Sequence, residues 1–136
     1  MHTVVVMGVA GCGKSSLGAS VSRATGLPLV EGVDHQGPAG SVMTCSALKA
    51  SYRARLRAAA PGLRFVFLEI QKADALQRVA ARGAAHFLST TLVDNQFATL
   101  EDPTAEHGVL PVDAMAPLPL LTSQVSQWLN HHKEAV

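Results

Sequence analysis

Charge of one sign is what this sequence most plainly lacks. Its 11 Lys and Arg stand against 10 Asp and Glu, for a formal net charge of +1. A balance this close gives no general electrostatic case for nucleic acid or an anionic membrane as partner. No apolar run approaches a membrane span, so no membrane association is expected. The chain goes straight into a strand-like run, and the expectation is that no signal peptide is present. Cysteines are few as well: Cys12 and Cys45 are the two, with no C-x-x-C pair. That usage suits a reduced, cytoplasmic protein. There is neither an internal repeat nor a low-complexity tract, so the 136 residues read as one domain, 1–136, with a real core.

What is present is organised around Gly8-Val9-Ala10-Gly11-Cys12-Gly13-Lys14-Ser15, a complete G-x-x-x-x-G-K-[ST] match. Thr3 to Met7 before it is apolar and β-branched and reads as a buried strand. Ser16 to Thr25 after it reads as a helix, with Leu17 and Val21 on one face and Gly26 as its stop. Gly8, Gly11 and Gly13 let the backbone curl with its N–H groups inward, and together with the helix N-terminus they form an anion site. Lys14 is then the mobile cation for β- and γ-phosphates, and Ser15 the hydroxyl for Mg²⁺. Cys12 and Ser16 complete the loop's set of nucleotide contacts. The alternative, a glycine-rich turn that matches by chance, sits poorly with the flanking strand and helix. Cys12 has two readings: a reactive thiol near a helix N-terminus, or a small side chain filling the loop.

The rest of the chain alternates strand-like and helix-like segments, which argues for an α/β layered domain with a parallel sheet. Strands are expected at Gly26–Gly32, Ser41–Cys45, Phe65–Ile70 and Val109–Val112. Helices are expected at Ala47–Ala60, Ala73–Arg82 and from Leu118 through Leu129, the last amphipathic with Trp128 in the core. His86 to Glu101 reads as a lid followed by a helix. One interval is short. Only 11 residues lie between Val30 and Val42, without a helical pattern, whereas a crossover between parallel strands takes a dozen or more residues. Either these strands connect unusually or a segment is missing between Gly32 and about Asp34.

Two further runs narrow the reading. Cys45-Ser46-Ala47-Leu48-Lys49-Ala50-Ser51-Tyr52-Arg53 is the first. His86-Phe87, followed by Gln96-Phe97-Ala98-Thr99-Leu100-Glu101-Asp102-Pro103, is the second. With the phosphate loop, in this order, they resemble the gluconate kinase family, over most of the chain from Thr3 to Asp113. The resemblance implies a three-layer P-loop kinase fold of the adenylate-kinase type: a five-stranded parallel sheet, helices on both faces and a small lid at about 83–103. It implies transfer of the ATP γ-phosphoryl group to the C6 hydroxyl of D-gluconate, with ATP and Mg²⁺ as cofactors, in a cytoplasmic homodimer. The sequence departs from the family pattern at Ala54, where an acid is usual, and in the short interval after Gly32. The missing stretch is where the catalytic base is expected, with Glu31 the nearest acid present and Asp34 a weaker one.

Other residues fit phosphoryl transfer, and each has a plainer alternative. Arg78 and Arg82 lie four apart and share a helix face. They either close onto phosphates or are solvated surface charges. Lys49 and Arg53 also share a face, near the end of the third strand where α/β sheets bind ligands. They either hold the sugar acid or form a solvated basic face. His86 either contacts substrate or packs beside Phe87. Gln96 and Glu101 read as lid structure, and His131 and His132 as a frayed tail without a third metal ligand. Two rival functions remain: another small-molecule kinase of this fold, such as a shikimate kinase, and a nucleotide-binding module that no longer transfers phosphate.

Overall fold

Val4, Val5, Val6 and Met7 form β1 (Val4–Met7), and every side chain in it is removed from solvent. A strand buried on both faces belongs at the centre of a parallel sheet, and β1 is there. The computed structural model describes residues 3–31, 40–82 and 86–134, with the backbone alone for residues 31, 86–89 and 131–134. After β1 come α1 (Lys14–Thr25), β2 (Leu29–Glu31), β3 (Val42–Thr44), α2 (Ala50–Ala59) and β4 (Arg64–Glu69). Then follow α3 (Lys72–Ala81), α4 (His86–Thr99), β5 (Val109–Asp113) and α5 (Leu118–Glu134). The five strands lie in the order β2-β3-β1-β4-β5, and every pairing is parallel.

Alternation along β1 divides the core. Val4 and Val6 face one side, with Leu17 and Val21 of α1, Ala75 and Val79 of α3, and Leu121, Val125 and Leu129 of α5. Val5 and Met7 face the other, with Leu56 of α2 and Phe65 and Phe67 of β4. This is the expected three-layer arrangement, and it puts the turn after β1 in the middle of the sheet's C-terminal edge, where such folds bind ligands. Helix α1 is seated very close to the sheet: a Cβ placed on Gly18 would stand 2.5 Å from the Thr44 methyl carbon. Trp128 is half-buried rather than central, with the Arg64 guanidinium 5.9 Å from its ring centroid. The interval around Gly32 and Asp34 lies outside the described residues, as does the start of the expected lid at 83–85.

Helix α2 begins at Ala50, later than its periodicity suggests. Ala47 holds a left-handed backbone (φ 49) and Lys49 is the extended N-cap. A non-glycine residue in that region persists only when its surroundings hold it there. Arg53 is what holds it. Its side chain is fully buried, and it donates from Nη1 to the Ala47 carbonyl at 2.7 Å. Nη2 donates to the Glu101 carbonyl at 2.8 Å and to Glu106 Oε2 at 2.6 Å, while Nε reaches Glu106 Oε1 at 3.0 Å. Glu101 in turn caps α2, its Oε1 accepting from the Ala50 N–H at 2.7 Å. Arg57 donates to Glu106 at 3.0 Å and lies over the Phe65 ring. Arg53 therefore leaves the expected set of substrate contacts. Its side chain is turned inward, and Nε, Nη1 and Nη2 each donate to a protein acceptor.

Breaking a buried ion pair from one side is strongly destabilising, because the remaining groups keep their desolvation cost. Arg53→Ala should lower unfolding free energy by about 3 kcal/mol, read from urea denaturation. Arg53 holds the Glu106 carboxyl below its ordinary range, with Arg57 adding to the effect and burial opposing it. A depressed carboxyl contributes stability that is complete above its unfolded pKa and is lost as pH falls through the folded one. Glu106→Gln should therefore flatten the acid limb of the stability–pH curve. An unchanged limb would mean that the pair contributes nothing.

Candidate active site

The loop from Gly8 to Lys14 is shaped by its glycines. Gly11 (φ 86) and Gly13 (φ 97) are left-handed, and a Cβ on Gly11 would stand 2.8 Å from the Ala75 carbonyl oxygen. Gly13 is the N-cap of α1 and supplies no side-chain hydrogen bond to the helix. The first-turn N–H groups of a 12-residue helix are thus without a side-chain cap, which is the arrangement that binds phosphate. Two cations meet the carbonyls of this loop. Lys14 Nζ donates to the Gly8 and Val9 carbonyls at 3.0 and 3.2 Å. Arg78 Nη1 donates to the Gly11 and Cys12 carbonyls, both at 3.3 Å, and Nη2 to the Ala114 carbonyl at 2.9 Å.

Beside the loop is a cavity of about 420 Å³, lined by Cys12, Gly13, Ser16, Arg78, Arg82 and Leu118 among others. The chain thus brings Gly8, Gly11, Cys12, Gly13, Lys14, Ser15 and Ser16 into one loop and helix start. Arg78 and Arg82 are added from the end of α3. Ser15 and Ser16 are exposed, as is Arg82 at the α3 C-cap. Arg78 is only half-exposed and acts as a brace behind the loop. Lys49, exposed at the α2 N-cap, lies beyond the end of β3. Glu31 ends β2 and His86 begins α4; their side chains lie outside the described residues.

Sequence reasoning missed two contacts of the loop. The Ala10 N–H donates to Gln96 Oε1 of α4, and the Ala114 carbonyl anchors Arg78. The first joins residues 86 positions apart, so no local pattern carries it. Among the described residues no group of His, Cys, Asp and Glu is placed to hold a metal.

A phosphate loop after the central strand of a parallel five-stranded sheet, braced by arginine from the following layer, defines a P-loop kinase fold. No family model matches the chain. It is 32% identical to the thermoresistant gluconokinase of Escherichia coli K12, over 86% of this chain and 87% of that protein. It is 28% identical to a probable gluconokinase of Schizosaccharomyces pombe, over 78% of this chain and 76% of the relative. The crystal structure of a gluconokinase from Sinorhizobium meliloti 1021 superposes with a TM-score of 0.79 at 30% identity, covering 96% of this chain and 97% of the other. The chain belongs to the gluconokinase family.

Burial pushes the Cys12 thiol up from its ordinary pKa, against the pull of Lys14. With its side chain also packed in the core, Cys12 is a filler and not a nucleophile. Native protein should alkylate at Cys12 at least about tenfold more slowly than urea-unfolded protein at neutral pH, by mass spectrometry of the tryptic peptide. Equal rates would show an open, reactive thiol.

Proposed function

We propose that this protein transfers the γ-phosphoryl group of ATP to the C6 hydroxyl of D-gluconate, giving 6-phospho-D-gluconate. The observation that carries the reading is the Lys14 phosphate loop with Arg82 at its cavity, in a chain of the gluconokinase family. Phosphoryl transfer asks a protein for positioning and positive charge. The α1 N–H groups grip the phosphates. Lys14, already held on the Gly8 and Val9 carbonyls, follows charge as it moves from γ- to β-oxygens. Arg82, at the free edge of the cavity, adds a cation on the outer side, with Arg78 behind it. Ser15 is the hydroxyl that would hold Mg²⁺, which would supply positive charge to the phosphates.

On the acceptor side, Lys49 is the exposed cation for a carboxylate, since charged donors reward an anionic ligand. His86 is a second contact, and Glu31 is the nearest acid to take the hydroxyl proton. We place the whole activity in one domain, 1–136, with a lid at about 83–103, working as a cytoplasmic homodimer on a small molecule without nucleic acid. No helix among the described residues is long and apolar enough to cross a membrane.

One observation favours a second reading. The match to the Escherichia coli relative runs over 155 aligned positions, more than the 136 residues of this chain. The chain is short between β2 and β3, where a substrate-facing segment is expected. A protein without that segment could use another acceptor, such as shikimate, or bind nucleotide without transferring phosphate.

A coupled assay for ADP release with gluconate, with shikimate and without acceptor separates these readings. Release should depend on gluconate, and Lys14→Ala should lower kcat by about 10²-fold or more with the melting temperature preserved. Release without any acceptor dependence would move the protein to the binding-module reading. Arg82→Ala should raise the ATP KM or lower turnover. If it changes neither, Arg82 is surface charge. Lys49→Ala should raise the gluconate KM more than the ATP KM; the opposite pattern would assign Lys49 to the nucleotide.

A further inference from the structure

The Val9–Ala10 peptide unit is held at both of its polar ends. Its carbonyl, on Val9, accepts from Lys14 Nζ at 3.2 Å and from the Cys12 N–H at 3.2 Å. Its N–H, on Ala10, donates to Gln96 Oε1. Because a peptide unit is planar, these two ends turn together. Whatever fixes the Ala10 N–H therefore fixes the direction in which the Val9 carbonyl receives the lysine.

Gln96 is well placed to do this. It stands one helical turn after Val93, which is fully buried in the same core as Val9 and Cys12. Its own carbonyl accepts from the Leu100 N–H at 2.9 Å, where the chain leaves α4. Phe97 and Leu100 pack against the same core, so this end of α4 is anchored at the base of the proposed lid. Lys72 pairs with Asp94 at 2.6 Å across to α3. The side chain that meets the loop thus comes from a firmly seated turn.

We propose that Gln96 is a positioning residue for Lys14, acting through the Val9–Ala10 peptide. By occupying the Ala10 N–H it orients the carbonyl on which the lysine rests, and it keeps that N–H out of the donor set that meets phosphate. Without it, the peptide lies between Gly8 and Gly11 with only its carbonyl side held, and Lys14 loses a defined resting point. This rests on the nucleotide-phosphate part of the function proposed above and not on the acceptor.

The test is a double-mutant cycle on Mg·ATP affinity, measured by calorimetry without acceptor. Gln96→Met removes the acceptor oxygen while keeping side-chain length and packing, and Gln96→Ala serves as a second variant should methionine disturb the fold. In the wild-type background, Gln96→Met should weaken Mg·ATP binding about fivefold. In the Lys14→Ala background the same change should alter affinity less than twofold, because the residue it positions is gone. A residue that merely packs would weaken both backgrounds by the same factor. Such additivity, or an unchanged affinity in the wild-type background, overturns the proposal. If the cycle is non-additive while gluconate fails to stimulate ADP release, the positioning role stands and only the acceptor assignment falls.

Discussion

A backbone that points its N–H groups inward must point its carbonyls somewhere else. That constraint governs the surroundings of the Gly8–Lys14 loop. The donors at the start of α1 are left without a side-chain cap, so the loop keeps its phosphate grip only if its outer carbonyls are satisfied without closing over the donors. Lys14 meets the Gly8 and Val9 carbonyls. Arg78 meets those of Gly11 and Cys12 from outside and ties them to Ala114 beyond β5. Each brace is a charge-assisted hydrogen bond to a neutral carbonyl, stronger than a neutral pair. The half-exposed Arg78 thus serves the site without facing solvent squarely, and Arg82 is left at the rim.

The parts of this molecule that repeat locally could be read from its sequence. The strand–loop–helix around Lys14 and the five strands lie within a few residues of expectation, because burial on both faces and turn chemistry leave local marks. Arg53 shows where such marks end. Spacing from Lys49 placed both on one helix face, but a shared face means little when the helix begins only at Ala50. The left-handed Ala47 that delays it is not written in any periodicity. Gln96 is the second case: as part of a lid-like run it gave no hint of its partner, since Ala10 lies 86 positions away. For Glu31 and His86, the structure describes backbone alone.

Arg53 also changes what the two family-like runs mean. The first run supplies Ala47, Ala50 and Arg53. The second supplies Glu101, and Glu106 follows it closely. These meet in one buried junction, in which Arg53 touches Ala47, Glu101 and Glu106 and Glu101 caps α2. The runs that single out this family are thus, at these positions, the two halves of a structural joint between α2 and the segment leading into β5. Lys49 protrudes from that joint, and its place relative to the phosphate loop is only as firm as the joint itself.

The close seat of α1 at Gly18 has a mechanical side. Gly18 lies four residues after Lys14, about 6 Å along the helix axis at 1.5 Å per residue. The helix rests there on the Thr44 methyl with no side chain between. A rod supported so near one end behaves as a short lever: a shim inserted at the support lifts the near tip by a comparable amount. The height of the helix tip above the sheet therefore depends on the bulk of the threonine beneath Gly18, on the neighbouring strand β3.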